Sequence, residues 1–217
     1  MVSRDFTRPN FRITVKVGDL FSEEADLVIG FTDVFDTSTD GGDIISPRSV
    51  QAQLLSRVYS GDEEGLDDAL EDALRNHRVS FIESASAKPR GKRKRYPIGT
   101  VAVLSRQTAK YYCVAYSRMS NSLSAQSSVD NLWNCLSGTW GSVAENGHLR
   151  PLAIPVLGSD LARVDNLDHE SLIKMVILSF VARSREATVS RKLTIVVHPD
   201  NFETVDLAEV RAFLYSL

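Results

Sequence analysis

The feature that most constrains this fold is the alternation of short, β-branched apolar runs with amphipathic helical stretches along the chain. Ala25-Asp26-Leu27-Val28-Ile29-Gly30-Phe31 reads as a strand buried on both faces, and Leu152-Ala153-Ile154-Pro155-Val156 and Leu193-Thr194-Ile195-Val196-Val197 read as further strands. Phe11 to Val17 alternates apolar and polar side chains, and Thr100–Leu104 and Tyr111–Tyr116 add two more strands across a short turn. Between them lie helical stripes: Val50, Leu54, Leu55 and Val58 after a start at Ser46-Pro47, then Leu66, Leu70, Ala73 and Leu74 within Glu64–Arg75. Ser127–Asn146 carries Val129, Leu132, Trp133, Leu136, Trp140 and Val143 on one side and stops at Gly147. Asp168 caps an apolar helix through Arg185, and Val205–Leu217 is the last helix. A sheet covered on both faces follows, an α/β sandwich. No repeat or linker divides residues 1–217, so one domain is expected, with about the first ten residues as a flexible lead.

Composition excludes several classes. At 217 residues, 43% apolar and 24% charged, the chain can bury a core without disulfides or a structural metal. A net charge of −3 provides no overall basic field for nucleic acid. Cys113 and Cys135 sit in apolar segments and read as buried free thiols. His77, His148, His169 and His198 are scattered, and no C-x-x-C or H-E-x-x-H occurs, so no metal site is expected. No apolar run reaches the roughly 18 residues of a membrane span, and Met1–Asp5 is too polar for a signal peptide, so a cytoplasmic chain is expected.

In open α/β sheets the ligand crevice lies beyond the carboxyl ends of the strands. Three loops fall there: Gly18-Asp19-Leu20, Thr32 to Ser46, and Gly158 to Arg163. In the third, Gly158 and Ser159 let backbone N–H groups approach an anion, and Arg163 can add a charged contact; an ordinary strand-to-helix turn is the simpler reading of that loop alone. The Asp-rich loop (Asp33, Asp36, Asp40, Asp43) reads as exposed and polar, with a metal or general-base role as the alternative. No Walker pattern, G-x-G-x-x-G or G-x-S-x-G is present. Lys88 to Arg95 carries six positive charges in eight residues and reads as an exposed loop, screened by the acidic stretch Asp62–Asp72 or contacting nucleic acid or an anionic membrane.

Gly18-Asp19-Leu20 after the first strand resembles the G-D-[IL] signature of macro domains. Ala25–Gly30 resembles their second strand, Pro97-Ile98-Gly99-Thr100-Val101 the stretch before the next strand, and Ile154–Ala162 their phosphate loop. The segments VGDLF, VIGFTDVFDT, IISPRSVQAQLLSRVY, RYPIGTVAVL and SSVDNLW are similar to the divergent macro domain of Thoeris antiphage effectors. The resemblance implies a macro-domain-like three-layer α/β/α sandwich with a mixed central sheet.

The same resemblance implies a sensor that binds an ADP-ribose-derived signal nucleotide made by a partner TIR-domain enzyme, with no other cofactor. In such effectors the sensor sits behind membrane helices, which this chain lacks, so membrane contact and anchoring are expected only through segments not read here. An oligomer formed on ligand binding stays open. Carried onto this chain, Asp19 accepts the adenine amino group with the Leu20 backbone in support, and Gly158, Ser159, Asp160, Leu161, Ala162 and Arg163 hold the pyrophosphate. Gly99 lies beside the site. Thr32, Asp33, Ile45 and Ser46 face the distal ribose, where Asp33 would suit a cationic substituent such as an amino-acid conjugate. Hydrolytic members carry N-A-A-N where this chain has Gly30-Phe31-Thr32-Asp33, so a binder rather than an enzyme is expected. The alternative is an ADP-ribosyl hydrolase in which Asp33 or Asp43 activates water.

Overall fold

The computed structural model describes residues 1–42, 44–159, 164 and 167–217. Val2–Thr7 (β1) and Asn10–Val17 (β2) open the chain, followed by Asp26–Thr32 (β3) and the helices Val50–Val58 (α1) and Glu63–Leu74 (α2). Phe81–Ile82 (β4), Lys94–Arg95 (β5), Val101–Arg106 (β6), Ala109–Met119 (β7) and Ala125–Gln126 (β8) come next. Val129–Asn146 (α3), Leu152–Pro155 (β9), His169–Glu186 (α4), Lys192–Val197 (β10) and Leu207–Ser216 (α5) complete it. Among the described residues the main sheet runs β1-β2-β10-β9-β3-β7-β6, with β8 paired to β7. The five central strands are mutually parallel, while β1 and β6 pair antiparallel at the edges, so the sheet is mixed.

Period-two alternation sorts each central strand between two cores. Val28, Tyr112, Val114, Ile154 and Ile195 point to the side covered by α3, α4 and α5, where Trp140, Ile173, Phe180 and Leu214 pack. Leu27, Ile29, Phe31, Cys113 and Ala153 point to the opposite side, against Leu54, Leu66 and Leu70 of α1 and α2. The expected three layers are present. Within α3, Val129 and Trp133, expected on its apolar side, are exposed. Both cysteines are buried and free, and burial pushes the Cys135 thiol up to about 12.

Residues 2–7 are not a flexible lead. They pair with β2 from Val2↔Val15 to Thr7↔Asn10, and Phe6 stacks on Phe11 with ring centroids 4.5 Å apart. Pairing covers what would otherwise be the open edge of β2. The first helix also begins later than Ser46-Pro47. Ser49 is the cap, accepting the Ala52 N–H at 3.1 Å, and Ser46 and Pro47 belong to the turn before it.

The basic run is only in part the exposed loop expected: Arg90, Arg93 and Lys94 are exposed, Lys92 is half-buried, and Lys88 and Arg95 are buried. Its residues fold over the segment after β3, whose Asp33, Asp36 and Thr37 are buried, so those acids are not an exposed polar loop. Arg95 bonds Asp33 and Glu83, each at 2.8 Å. Lys92 donates to Asp67 at 2.6 Å and to the Phe35 carbonyl at 2.9 Å, and Lys94 pairs with Glu71 at 3.3 Å. Lys88, 0% exposed, donates to the Arg90 carbonyl at 2.8 Å and lies 3.7 Å from Asp36, which also accepts the Lys92 N–H at 2.5 Å. Burial raises the Asp36 carboxyl above its ordinary value and lowers the Lys88 ammonium below its own, so each charged form depends on the other. Carboxylates that leave water require cations, and the run supplies them.

Lys88→Met should therefore destabilise by about 3–5 kcal/mol, because it strands a buried carboxylate. Lys88→Met/Asp36→Asn, which keeps an acceptor for the Lys92 N–H, should recover most of that loss; urea denaturation of the two variants measures the difference.

Candidate functional site

A cleft of about 970 Å³ opens where the central parallel strands end. Gly18 to Phe21 follow β2, Thr32 ends β3, Ser117 and Met119 end β7, Val156 to Ser159 follow β9, and His198 follows β10; all line it. The polar side of α1, through Ser49, Gln53 and Arg57, forms the facing wall with the turn 44–47.

Asp19 heads the short 3-10 turn Leu20–Ser22. Its carboxylate accepts the Phe21 N–H at 3.0 Å, the Ser22 hydroxyl at 2.9 Å, and Arg57 at 2.9 and 2.7 Å. Burial opposes ionisation there, but the bonds from Arg57, Ser22 and Phe21 outweigh it, and the carboxyl lies below its ordinary value. The Arg57 guanidinium also sits 5.0 Å from the centre of the Phe21 ring.

Across the cleft, Gly158 adopts φ +82°, where a Cβ would press on Leu132 at 3.2 Å and on Val164 at 3.4 Å. Its carbonyl accepts the Val164 N–H at 3.1 Å, and the Ser159 hydroxyl donates to the Val156 carbonyl at 2.7 Å. The N–H groups of Gly158 and Ser159 donate to nothing among the described residues, which leaves two backbone donors at the cleft wall. Asp160, Leu161, Ala162 and Arg163 lie outside the described residues, as does Asp43.

Leu20, Thr32, Ile45 and Ser46 also line the cleft, but Asp33 and Gly99 are not among the lining residues. Asp33 is buried, with both oxygens bonded to Arg95 at 3.1 and 2.8 Å and one of them accepting the Met119 N–H at 2.9 Å. It therefore holds the cleft wall together instead of facing a cationic substituent. Gly99, at φ +91°, packs against α3, where an added Cβ would lie 2.8 Å from the Asn134 carbonyl oxygen. Its glycine serves a close backbone approach. At Gly30, which lines the cleft, a Cβ would meet the Tyr116 ring at 2.8 Å and Leu157 at 2.9 Å.

The sequence reading missed Phe21, Arg57 and Ser117. Ser117 faces Thr32 because the pairing of β3 with β7 shifts after Phe31, and the hydroxyls of both are buried without a partner among the described residues. Gln53 and Arg57 stand four apart on the polar side of α1, a pattern that only the tertiary fold distinguishes from a solvated face. Among the described residues no group of three or more His, Cys, Asp or Glu is placed to hold a metal ion.

Residues 13–198 match the family described as "Thoeris protein ThsA, Macro domain". Over 207 residues the chain is 24% identical to the Thoeris protein ThsA of Bacillus amyloliquefaciens (strain Y2), covering 93% of this chain and 67% of that protein. Its fold is similar to the Oceanobacillus iheyensis macrodomain with ADP (TM-score 0.56, 10% identity, 99% of this chain and 94% of that one). It is also similar to Thermosipho africanus DarTG in complex with ADP-ribose (TM-score 0.57, 12% identity, 93% of this chain and 46% of that one).

The positive φ at Gly158 penalises any side chain there, whether or not a ligand is bound. Gly158→Ala should lower stability by about 1–2 kcal/mol from the left-handed backbone alone, measured by urea denaturation in the absence of any nucleotide.

Proposed function

Because the chain belongs to the Thoeris ThsA macro domain family, we propose that it is the sensor module of an antiphage effector and binds, without hydrolysing, an ADP-ribose-derived nucleotide produced by a partner TIR-domain enzyme. One observation carries this reading: two backbone donors at Gly158 and Ser159, without a partner among the described residues, and the carboxylate of Asp19 line one cleft at the strand ends. Backbone N–H groups suit a pyrophosphate, being fixed donors with no charge of their own. The carboxylate suits the base end. Two solved relatives of the same fold carry ADP and ADP-ribose, which supports the same ligand class here.

Binding without turnover is supported by the chemistry of the Gly30–Asp33 segment. Phe31 lies in the core, Gly30 lines the cleft without a side chain, and the Asp33 carboxylate is bonded to Arg95. That segment therefore presents no free carboxylate to activate a water molecule. The amino-acid conjugate rested on the charge of Asp33, which is paired to Arg95 and no longer supports it.

Calorimetric titration with ADP-ribose tests the binding, and incubation with an ADP-ribosylated substrate followed by chromatography tests the absence of turnover. Saturable binding with the ADP-ribosyl bond left intact is the expected result; release of free ADP-ribose would make the protein a hydrolase. Asp19→Ala should weaken binding by about 1.5–3 kcal/mol, as for a lost hydrogen bond to a charged group, and an unchanged isotherm in a folded variant would remove the base from Asp19.

A further inference from the structure

Asp19 has no acceptor capacity to spare. A carboxylate offers about four lone-pair positions, and here one oxygen accepts from Phe21 N–H and Arg57 while the other accepts from the Ser22 hydroxyl and Arg57. A single guanidinium nitrogen, Nη1, makes both Arg57 bonds. Of the five N–H donors of Arg57, those on Nε and Nη2 have no partner among the described residues. The same guanidinium covers the Phe21 ring at 5.0 Å, on the wall of the cleft where a base would stack. The edge that meets an incoming base thus presents donors from Arg57 in front of a saturated acceptor.

We infer that Arg57 is a second base-reading residue, and that through it the cleft admits 6-oxopurine nucleotides (inosine or guanosine type) as readily as adenine nucleotides. This rests on the proposed binding of an ADP-ribose-type ligand and deepens it. A 6-oxopurine turns two acceptors, O6 and N7, toward a reader, the pattern that an arginine fork matches in two bonds. A 6-aminopurine brings an N–H donor to the same place and finds an acceptor only after one Arg57–Asp19 bond opens. That pair is about two-fifths exposed, with side-chain exposures of 42% and 41%, so opening it costs little and adenine is not excluded. Removing the guanidinium changes the edge completely: Asp19 then has free lone pairs, which attract an amino group and repel a carbonyl oxygen.

The test is a set of four titrations, ADP-ribose and its hypoxanthine counterpart IDP-ribose against wild type and Arg57→Ala, with thermal melting to verify that the variant is folded. Wild type should bind the two nucleotides within about 3-fold of each other. Arg57→Ala should bind IDP-ribose at least about 10-fold more weakly while its affinity for ADP-ribose holds or improves, since a good bidentate pair discriminates by that order. A wild-type preference for ADP-ribose beyond about 3-fold, or a substitution that leaves the ratio of the two affinities unchanged, overturns the role of Arg57 and leaves the ADP-ribose reading standing. If wild type binds neither nucleotide, the ADP-ribose reading fails and this inference falls with it.

Discussion

The buried pair between Asp33 and Arg95 ties together β3, β7, the β4–β5 hairpin and the turn after β7. Asp33 follows the last residue of β3; through its two oxygens it accepts from Arg95 and from the Met119 N–H at the end of β7. Arg95, in β5, extends the link to Glu83 beside β4 and, at 2.9 Å, to Asn121 in the turn between β7 and β8. The strand ends that form one wall of the cleft are thereby fixed to the small hairpin outside the main sheet. Such a pair gains little over an apolar alternative of the same shape, yet losing one partner is costly. Its contribution lies in specifying one arrangement of the wall.

With that wall fixed, the parallel register does the rest. Five strands pointing the same way place Gly18, Thr32, Ser117, Val156 and His198 along one edge, and α1 closes over them from the other side. Two kinds of group then meet in the cleft: backbone donors at Gly158 and Ser159, and side-chain charge at Asp19 and Arg57. Both are held before any ligand arrives, Gly158 by its left-handed turn against Leu132 and Asp19 by the 3-10 turn it caps. Pre-organisation of this kind lowers the entropic cost of binding.

Much of the fold was legible because apolar spacing reports burial directly. The central strands, the two core faces and helices α2, α3 and α4 follow from period and caps, with Ser128 and Asp168 each accepting the N–H three residues on. Charge was the poor guide. Lys88, Arg95, Asp33 and Asp36 read as solvated because each type alone avoids the interior, and only the mutual approach of Lys88 with Asp36 and of Arg95 with Asp33, residues far apart in the chain, makes burial tolerable. The same blindness hid Arg57: a helix position opposite the apolar stripe says nothing about whether it faces water or a cleft. Gly99 misled for a related reason, since a glycine required by a close backbone approach looks the same in sequence as one required by a ligand.

The central claim is that the cleft at the strand ends takes an ADP-ribose-type nucleotide by the backbone donors of Gly158 and Ser159 and by Asp19. Amide chemical shifts recorded during a titration of the isotopically labelled protein with ADP-ribose test it most directly. The account predicts saturable shifts concentrated in Gly18–Phe21, Ser49–Arg57 and Leu157–Ser159, with the β4–β5 hairpin unmoved. Shifts centred on residues 79–95, or none at all at saturating nucleotide, would contradict it.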